Sequence, residues 1–497
     1  MENDISKVLM ISDPDAKVTE FIKDDESMSD YVFMEKREKI MYCPDCGARM
    51  FSKGIRTKKI NHPALQTGYK LAIVLTVRKW YCRKCGRYDH DHYSFVEDGK
   101  RNSILTPFLI LEKFRDLEVT ARHVAKELNV SDTYVFEEFM MRVNLPRLPF
   151  SEIISVDEVH MKFDKDNLYA IVIMDFISGQ IIDILPNRHK ETYDEYFLHI
   201  TLEERMNVKV IISDIYKPYL LFPMNYFPDS RSIIDSFHVL SLILSKIKKY
   251  IAGVKRRYQE RDDKIRQERN YKNNSSWKTM KKSREVKLLE NYDWFMLKNY
   301  DDIDFSPYYR HIRGVAYWFN PRETEKAFME LDPNFGEIRD LKERYVRFNR
   351  SHINDVKGAE QELREIIEIY QNSRFAMFRD IAVTLKKHIP AIAESFTYIA
   401  ANEKYEENAE LLRRLSNSPI EGFNVNPKNL KRLSRGVSNY EYTRNRILWA
   451  TRENPHILGV PRRRDEIHRA MLKKRGPYKK SNKQNNETPD SHDNNQE

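Results

Sequence analysis

No apolar run in this chain approaches the roughly 18 residues that a membrane-spanning helix needs, and the opening Met-Glu-Asn-Asp is acidic where an export signal is cationic and then apolar. Both absences lead to the expectation of a soluble cytoplasmic protein with no membrane partner. Cysteine is scarce, four in 497 residues, and disulfides are poorly suited to a chain that is not exported. The length exceeds one ordinary domain, so about two to four units are expected, and no internal repeat explains the long charged helical block that begins at Phe237. Positive charge is in excess. Lys+Arg number 85 against 75 Asp+Glu, a formal +10, which favours a polyanionic partner such as DNA.

The four cysteines form two pairs, Cys43-Pro-Asp-Cys46-Gly and Cys82-Arg-Lys-Cys85-Gly. Two such knuckles can place four thiolates tetrahedrally around one structural Zn²⁺, with Gly47 and Gly86 supplying the positive φ that turns backbone amides toward sulfur. Between them Leu71–Val77 and then Arg78-Lys79-Trp80-Tyr81 read as a strand with a basic, aromatic edge, making Arg78 and Lys79 candidate DNA contacts. This gives an N-terminal segment (1–40) and a zinc ribbon (41–98). In 99–148 the spacing turns helical. Thr120–Phe139 reads as helix, turn (Asn129-Val130) and helix, the pattern of a helix-turn-helix DNA reader, with Ser131 as N-cap and Ser131, Asp132, Thr133 and Tyr134 facing base edges. An ordinary helical hairpin is the alternative, and Glu137 and Glu138 count against close phosphate contact. Leu145-Pro-Arg-Leu-Pro149 marks a linker.

The stretch Ile153-Ile-Ser-Val-Asp157-Glu-Val-His160 places an acid in an apolar β-branched strand, where an unpartnered charge is costly. Strands at 153–159, 168–175 and 180–185, a helix at 191–206, a strand at 208–213, a helical or irregular piece to Tyr226 and a short strand at 231–234 follow in the order of a ribonuclease-H-like domain. The first and fourth strands of that fold put their acids side by side, and Asp157 and Asp214 occupy those places. Glu158 should point to the opposite face. A third acid, Glu421, lies in Ser416-Asn-Ser-Pro-Ile-Glu421-Gly-Phe-Asn424, where local chemistry alone favours a capping box with Ser418 at N-cap and Pro419 at N1, and the company of Asp157 and Asp214 favours a third site acid. Three carboxylates suit phosphodiester cleavage with two Mg²⁺ (or Mn²⁺) ions, Asp157 shared, Asp214 on one and Glu421 on the other. The catalytic core thus runs over 149–240 and 416–458, interrupted by a helical insertion (241–415), giving a multidomain α/β protein. Lys248, Lys249, Lys255, Arg256 and Arg257 in the insertion are candidate contacts to DNA phosphates, with a solvated helix face as the alternative. Trp277, Trp294 and Trp318 read as core anchors. The tail (459–497) reads as basic and then disordered, with Arg462–Arg464 adding nonspecific DNA affinity.

In order and spacing, the cysteine knuckles, Val156-Asp157-Glu158, Ser213-Asp214-Ile-Tyr-Lys217-Pro218-Tyr219, Asp235-Ser-Phe237-His238-Val239, Ser418-Pro-Ile-Glu421-Gly-Phe-Asn424 and Asn439–Leu448 resemble the DDE transposases of bacterial insertion sequences, specifically the ISL-three family. The resemblance spans about Tyr42 to Ala450. It implies that Asp157, Asp214 and Glu421 are the DDE triad and that the ribbon and helix-turn-helix recognise the element's terminal inverted repeats. The ends would be cleaved and the freed 3′-hydroxyl joined to target DNA, by a homodimer or larger assembly that is nucleoid-associated while bound. Pro427 departs from the family pattern and should kink the helix near Phe423; Asp235 and His238 read as helix-start or auxiliary residues. A catalytically inert DNA-binding regulator and a structure-specific ribonuclease-H-like nuclease are the alternatives.

Overall fold

A computed structural model describes residues 6–66, 68–273, 282–306, 320–400 and 412–469. It divides into two compact units, Met1–Leu145 with Asn454–Glu497, and Pro146–Glu453. Among the described residues no helix is long and apolar enough to cross a membrane.

The first unit is built on a five-stranded sheet of β1 (Ala16–Asp24), β2 (Ser29–Lys36), β3 (Phe51–His62), β4 (Lys70–Tyr81) and β5 (Tyr88–His90), in the order β1-β2-β4-β3 with β5 on the end of β4. The expected strand through Leu71–Tyr81 is β4. The N-terminal segment, however, is not separate from the ribbon: β1 and β2 form a hairpin, and β2 runs parallel to β4 from Ser29↔Lys70 to Met34↔Leu75. The alternation of Val32 and Met34 buries one face against Ile60, Ile73 and Leu75, while β1 buries only Ala16 and Val18. Three helices follow, Leu105–Lys113, Ala121–Glu127 and Asp132–Arg142. Asn129 takes φ +54° and the Val130 amide donates to the Ala125 carbonyl, ending one helix; the Ser131 hydroxyl accepts the Tyr134 amide and starts the next. That turn and cap are where the sequence placed them.

The basic run after Val460 is structured up to Arg469. Leu458 and Arg462 donate backbone amides to Arg142 and Met141 carbonyls (2.8 Å each), and the Arg462 guanidinium donates to the Met140 carbonyl. Arg464 and His468 pair with buried Glu137, and Arg142 pairs with buried Glu138. Both glutamates therefore face inward and are neutralised, and two of the three arginines are spent on holding the Asp132–Arg142 helix. The remainder of the tail, including everything from Gly476, lies outside the described residues.

The second unit carries a mixed sheet of β6 (Ile153–His160), β7 (Tyr169–Asp175), β8 (Ile181–Leu185), β9 (Val210–Ser213) and β10 (Arg231–Ile234), in the order β10-β9-β6-β7-β8. β6, β7 and β8 are an antiparallel meander; β9 and β10 run parallel to β6. Their nearly continuous apolar runs are explained by burial on both faces, one against Tyr193, Phe197, Phe222 and Phe227 and the other with Phe176 and Leu415. The single helix expected over 191–206 is two, Lys190–Leu198 and Leu202–Asn207, because Thr201 caps the second by accepting the Glu204 amide. From Ser236 a 38-residue helix leads into a helical block with its own core of Tyr345, Tyr370, Phe335 and Phe378. Trp294 stacks on Phe295 at that core; Trp277 and Trp318 lie outside the described residues. Before the chain returns to the sheet it adds a small hairpin, β11 (Tyr398–Ala400) with β12 (Leu412–Arg414), which the sequence reading did not contain.

Candidate active site

β6 and β9 are parallel neighbours with Ser155 opposite Ile212. Carrying that register two residues further brings Asp157 beside Asp214, which follows the last residue of β9. Asp157 is 8% exposed; its Oδ1 accepts the Glu158 amide and its Oδ2 accepts Nδ2 of Asn424, each at 2.7 Å. Glu158 turns away, and both its oxygens accept from Nη1 of Arg188 (2.7 and 2.9 Å).

Glu421 arrives from the far side of the helical block. Its helix, Ser418–Phe423, has Asn417 and not Ser418 at N-cap, and no side chain caps it. The capping box is therefore not formed, and the Glu421 carboxylate is released to face His238. The loop before it is fixed by Asp235, 3% exposed at the end of β10, which accepts the amides of Asn417 and Phe237 (2.8 Å each). Asn417 Nδ2 in turn reaches Asp214 Oδ1 at 3.4 Å.

His238, in the first turn of the long helix, joins the acids. Its Nε2 lies 2.5 Å from Asp214 Oδ1 and 3.2 Å from Glu421 Oε1, close enough for ion pairing although not aligned as a hydrogen bond. Burial opposes the imidazolium, but contact with Asp214 and the charges of Asp235 and Glu421 outweigh it and hold the ring at about 8. Burial and then Asp214 raise Asp157 to about 6. Glu421 is raised as well, by burial first, against His238 and with Asp235 and Asp214. A negative pocket that retains protons in this way is one that a cation would stabilise.

The bend expected from Pro427 occurs as a full break. The Ser418–Phe423 helix stops, Asn424 links it to a second helix, Val425–Leu433, and Pro427 sits in the first turn of that helix, where its missing N–H is tolerated. The break aims Asn424, 1% exposed, at Asp157. The second helix carries Lys428, Lys431 and Arg432, and the turn after it Arg435, along a groove of about 590 Å³ that ends at His160, with Lys431 donating to the His160 carbonyl at 2.9 Å. The sequence reading missed Asn417, Asn424 and this basic groove; the amides carried no local signal, and the lysines and arginines became notable only once folded beside β6.

A transposase family model, that of the ISL3-type DDE transposases, matches residues 154–447, well over half of the chain. The chain belongs to this family. A curated relative, the transposase for insertion sequence element IS1001 of Bordetella parapertussis, is 22% identical over 276 residues, 55% of this chain. The match spans 62% of that relative's length. The three acids and all the polar groups just described lie inside or at the edge of the matched region.

Outside the matched region the chain carries its four-cysteine cluster. Cys43 Sγ is 3.4 Å from Cys85 Sγ, Cys46 Sγ is 3.5 Å from Cys82 Sγ, and all four lie within 4.8 Å of one another, placed to hold one metal ion. Gly47 and Gly86 take φ of +66° and +77°, and their amides donate to the Cys43 and Cys82 carbonyls at 2.9 Å.

The candidate DNA contacts differ in exposure. Lys79 is exposed and Arg78 half-buried, donating to Ser52 Oγ at 3.3 Å. Ser131, Asp132 and Thr133 are exposed, whereas Tyr134 is half-buried and its hydroxyl is raised by burial and then by the charge of Glu138. On the long helix Arg257 pairs with buried Asp332 at 2.6 Å and Lys255 approaches Glu290 at 4.0 Å. Lys248, Lys249 and Arg256 are exposed and make no ion pair among the described residues. Tyr134, Lys255 and Arg257 thus have structural work that their sequence neighbourhoods did not reveal.

Proposed function

We propose that this chain is the transposase of an insertion sequence, which binds the element's terminal inverted repeats, hydrolyses the ends to free a 3′-hydroxyl and joins that hydroxyl to target DNA. The observation that carries the reading is the convergence of Asp157, Asp214 and Glu421 from β6, the end of β9 and a helix some 200 positions later, on a sheet whose strand order supports a ribonuclease-H-like core. The donor set fits Mg²⁺ or Mn²⁺: all three groups are hard carboxylate oxygens, Asp157 and Glu421 are raised by burial and by the neighbouring acids, and the nearby His238 is held by Asp214 and Glu421. Two such ions, when bound, supply activation of the attacking oxygen and stabilisation of the departing one.

The chain's own residues do the positioning. Asn424 and the Glu158 amide fix both oxygens of Asp157, which suits it to being shared between the ions. Asn417 and His238 orient Asp214 and hold Glu421 near it. His238 serves as an internal cation that limits repulsion between these two acids before loading. Lys428, Lys431, Arg432 and Arg435 offer a phosphate track leading to the carboxylates.

In the N-terminal unit, the helix pair Ala121–Glu127 and Asp132–Arg142 acts as a helix-turn-helix with Ser131, Asp132 and Thr133 toward the bases, while Lys79 and Arg78 on the ribbon and Lys248, Lys249 and Arg256 on the long helix take backbone phosphates. The cysteine cluster holds Zn²⁺. Its 3.4 and 3.5 Å sulfur separations need only a slight expansion to reach the edge of a tetrahedral zinc–thiolate site, about 3.8 Å. A dimer or larger assembly in the cytoplasm follows from the need to bring two ends to one target.

The test uses labelled duplexes from the DNA flanking the gene, incubated with full-length protein and Mg²⁺, comparing wild type with Asp157→Ala, Asp214→Ala and Glu421→Ala. Cuts at a repeated boundary that vanish in all three variants are the expected result. Specific binding without cleavage under any divalent metal would replace this reading with that of a DNA-binding regulator.

A further inference from the structure

The segment after the second cysteine knuckle carries metal-ligand chemistry that neither the cysteine cluster nor the carboxylate site uses. β5 pairs with the end of β4, placing His90 opposite Lys79, and the turn beyond it folds His92 back onto His90. The two imidazole centroids are 4.4 Å apart at 42°. Asp89 Oδ1 lies 2.9 Å from His92 Nε2 and 4.0 Å from His90 Nδ1. From the other side, Asp98 Oδ1 lies 3.2 Å from His92 Nδ1 and 3.7 Å from His90 Nε2. Asp91, in the same run, is engaged elsewhere, accepting the Trp80 indole N–H and the Arg78 amide.

The pairing of nitrogens is the informative feature. Each ring has one nitrogen toward Asp89 and the other toward Asp98. A neutral imidazole donates from one nitrogen only, so hydrogen bonds alone serve both carboxylates only when both rings are imidazolium, two like charges with ring centroids 4.4 Å apart. A metal ion on the Asp89 side removes that conflict: His92 Nε2 and His90 Nδ1 give their lone pairs to the ion, and their remaining N–H groups both point to Asp98. A carboxylate behind each metal-bound imidazole is the usual outer partner that fixes tautomer and ring orientation. One ligand atom from each of Asp89, His90 and His92 already falls within 4.8 Å of the other two.

We infer that Asp89, His90 and His92 form a second metal site in the N-terminal unit, selective for a divalent transition metal of the Zn²⁺ or Co²⁺ type, with Asp98 orienting both imidazoles. Two nitrogen donors and one carboxylate favour such ions over Mg²⁺ or Ca²⁺. Three protein ligands leave a coordination position open, on a side where His90 and His92 are 37% and 47% exposed. Occupancy ties β5 to the 91–98 loop, whose Tyr93 and Phe95 are part of the sheet's core, and so stiffens the strand end that carries Lys79.

Full-length protein that retains its cysteine-bound metal is titrated with Co²⁺ in excess Mg²⁺, following visible absorption and calorimetric stoichiometry. The expected result is one further equivalent with weak d–d absorption and no thiolate charge-transfer band. It should persist in Asp157→Asn, disappear in His92→Ala, and weaken by about 10- to 100-fold in Asp98→Asn. Asp98 is 70% exposed, so that variant keeps the fold even if the histidine variant does not. Failure to bind a further equivalent, or a further equivalent unchanged in Asp98→Asn, overturns the inference.

Discussion

Replacing Asp157 with Asn should stabilise the metal-free protein while destroying its metal site. The Asp157 carboxyl is held at about 6 by burial and then by the charge of Asp214, so the folded protein binds this proton more tightly than the unfolded chain does. The stability associated with it is fully present below the ordinary carboxyl range and is lost as pH rises toward 6; above that the fold carries a constant penalty. A shift of about two units at 1.36 kcal/mol each sets that penalty at about 3 kcal/mol. The substitution removes the charge with little change of shape. The introduced carbonyl can accept the Glu158 amide, and Asn424, whose Oδ1 has no partner, can turn to offer that oxygen to the introduced amide. Urea unfolding in chelator at about pH 7.5 should therefore show the variant more stable by about 2–3 kcal/mol, shrinking to about 1 kcal/mol near pH 4.5. Excess Mg²⁺ should raise the wild type and leave the variant unmoved. A variant that is less stable in chelator, or equally more stable at both pH values, would refute the reasoning.

Asn424→Ala removes the amide that holds Asp157 Oδ2; a charge-assisted bond of about 1.5–3 kcal/mol is lost, and calorimetry should show Mg²⁺ affinity reduced by about tenfold or more. In Cys82→Ser the cluster loses one of its four sulfurs; metal analysis should show zinc lost, with the N-terminal unit melting well below the Pro146–Glu453 unit. His62 is buried between Ser103 Oγ and the Leu9 carbonyl, and burial lowers it to about 4 against the bond to Leu9. The neutral ring is therefore favoured in the fold, and about 3 kcal/mol should be lost as pH falls from the ordinary histidine value toward 4; His62→Gln should flatten that slope in acid-unfolding curves, and an unchanged slope would contradict the assignment.

The second unit's sheet was readable because its strands are buried on both faces, so Ile153–Val159, Leu168–Asp175 and Val208–Ser213 stand out as β-branched runs and the acids in or after them are conspicuous. β1 and β2 were not, because an edge hairpin needs few buried side chains and Lys17, Glu20, Lys23 and Asp24 disguise it as a charged leader. Glu421 was ambiguous for a physical reason: Ser-Pro-Ile-Glu satisfies a capping box locally, and only the long-range bond from the Asn417 amide to Asp235, which shifts the cap by one residue, decides the matter. The basic run at 462–464 misled in the same manner, since the buried Glu137 that claims Arg464 lies some 330 positions away. Charge in a sequence gives a residue's chemistry; its partner is fixed by the fold.

The most direct test of the central claim, that three distant carboxylates form one divalent-metal site, is iron-directed backbone cleavage. Fe²⁺ in place of Mg²⁺, with ascorbate and peroxide, cuts the polypeptide next to wherever the ion sits, independently of any DNA substrate. Cuts clustered at the Asp157, Asp214 and Glu421 segments, competed by Mg²⁺ and lost from all three in Asp157→Asn, are predicted. Cuts that omit the Glu421 segment, or that persist at all three in the variant, would contradict it.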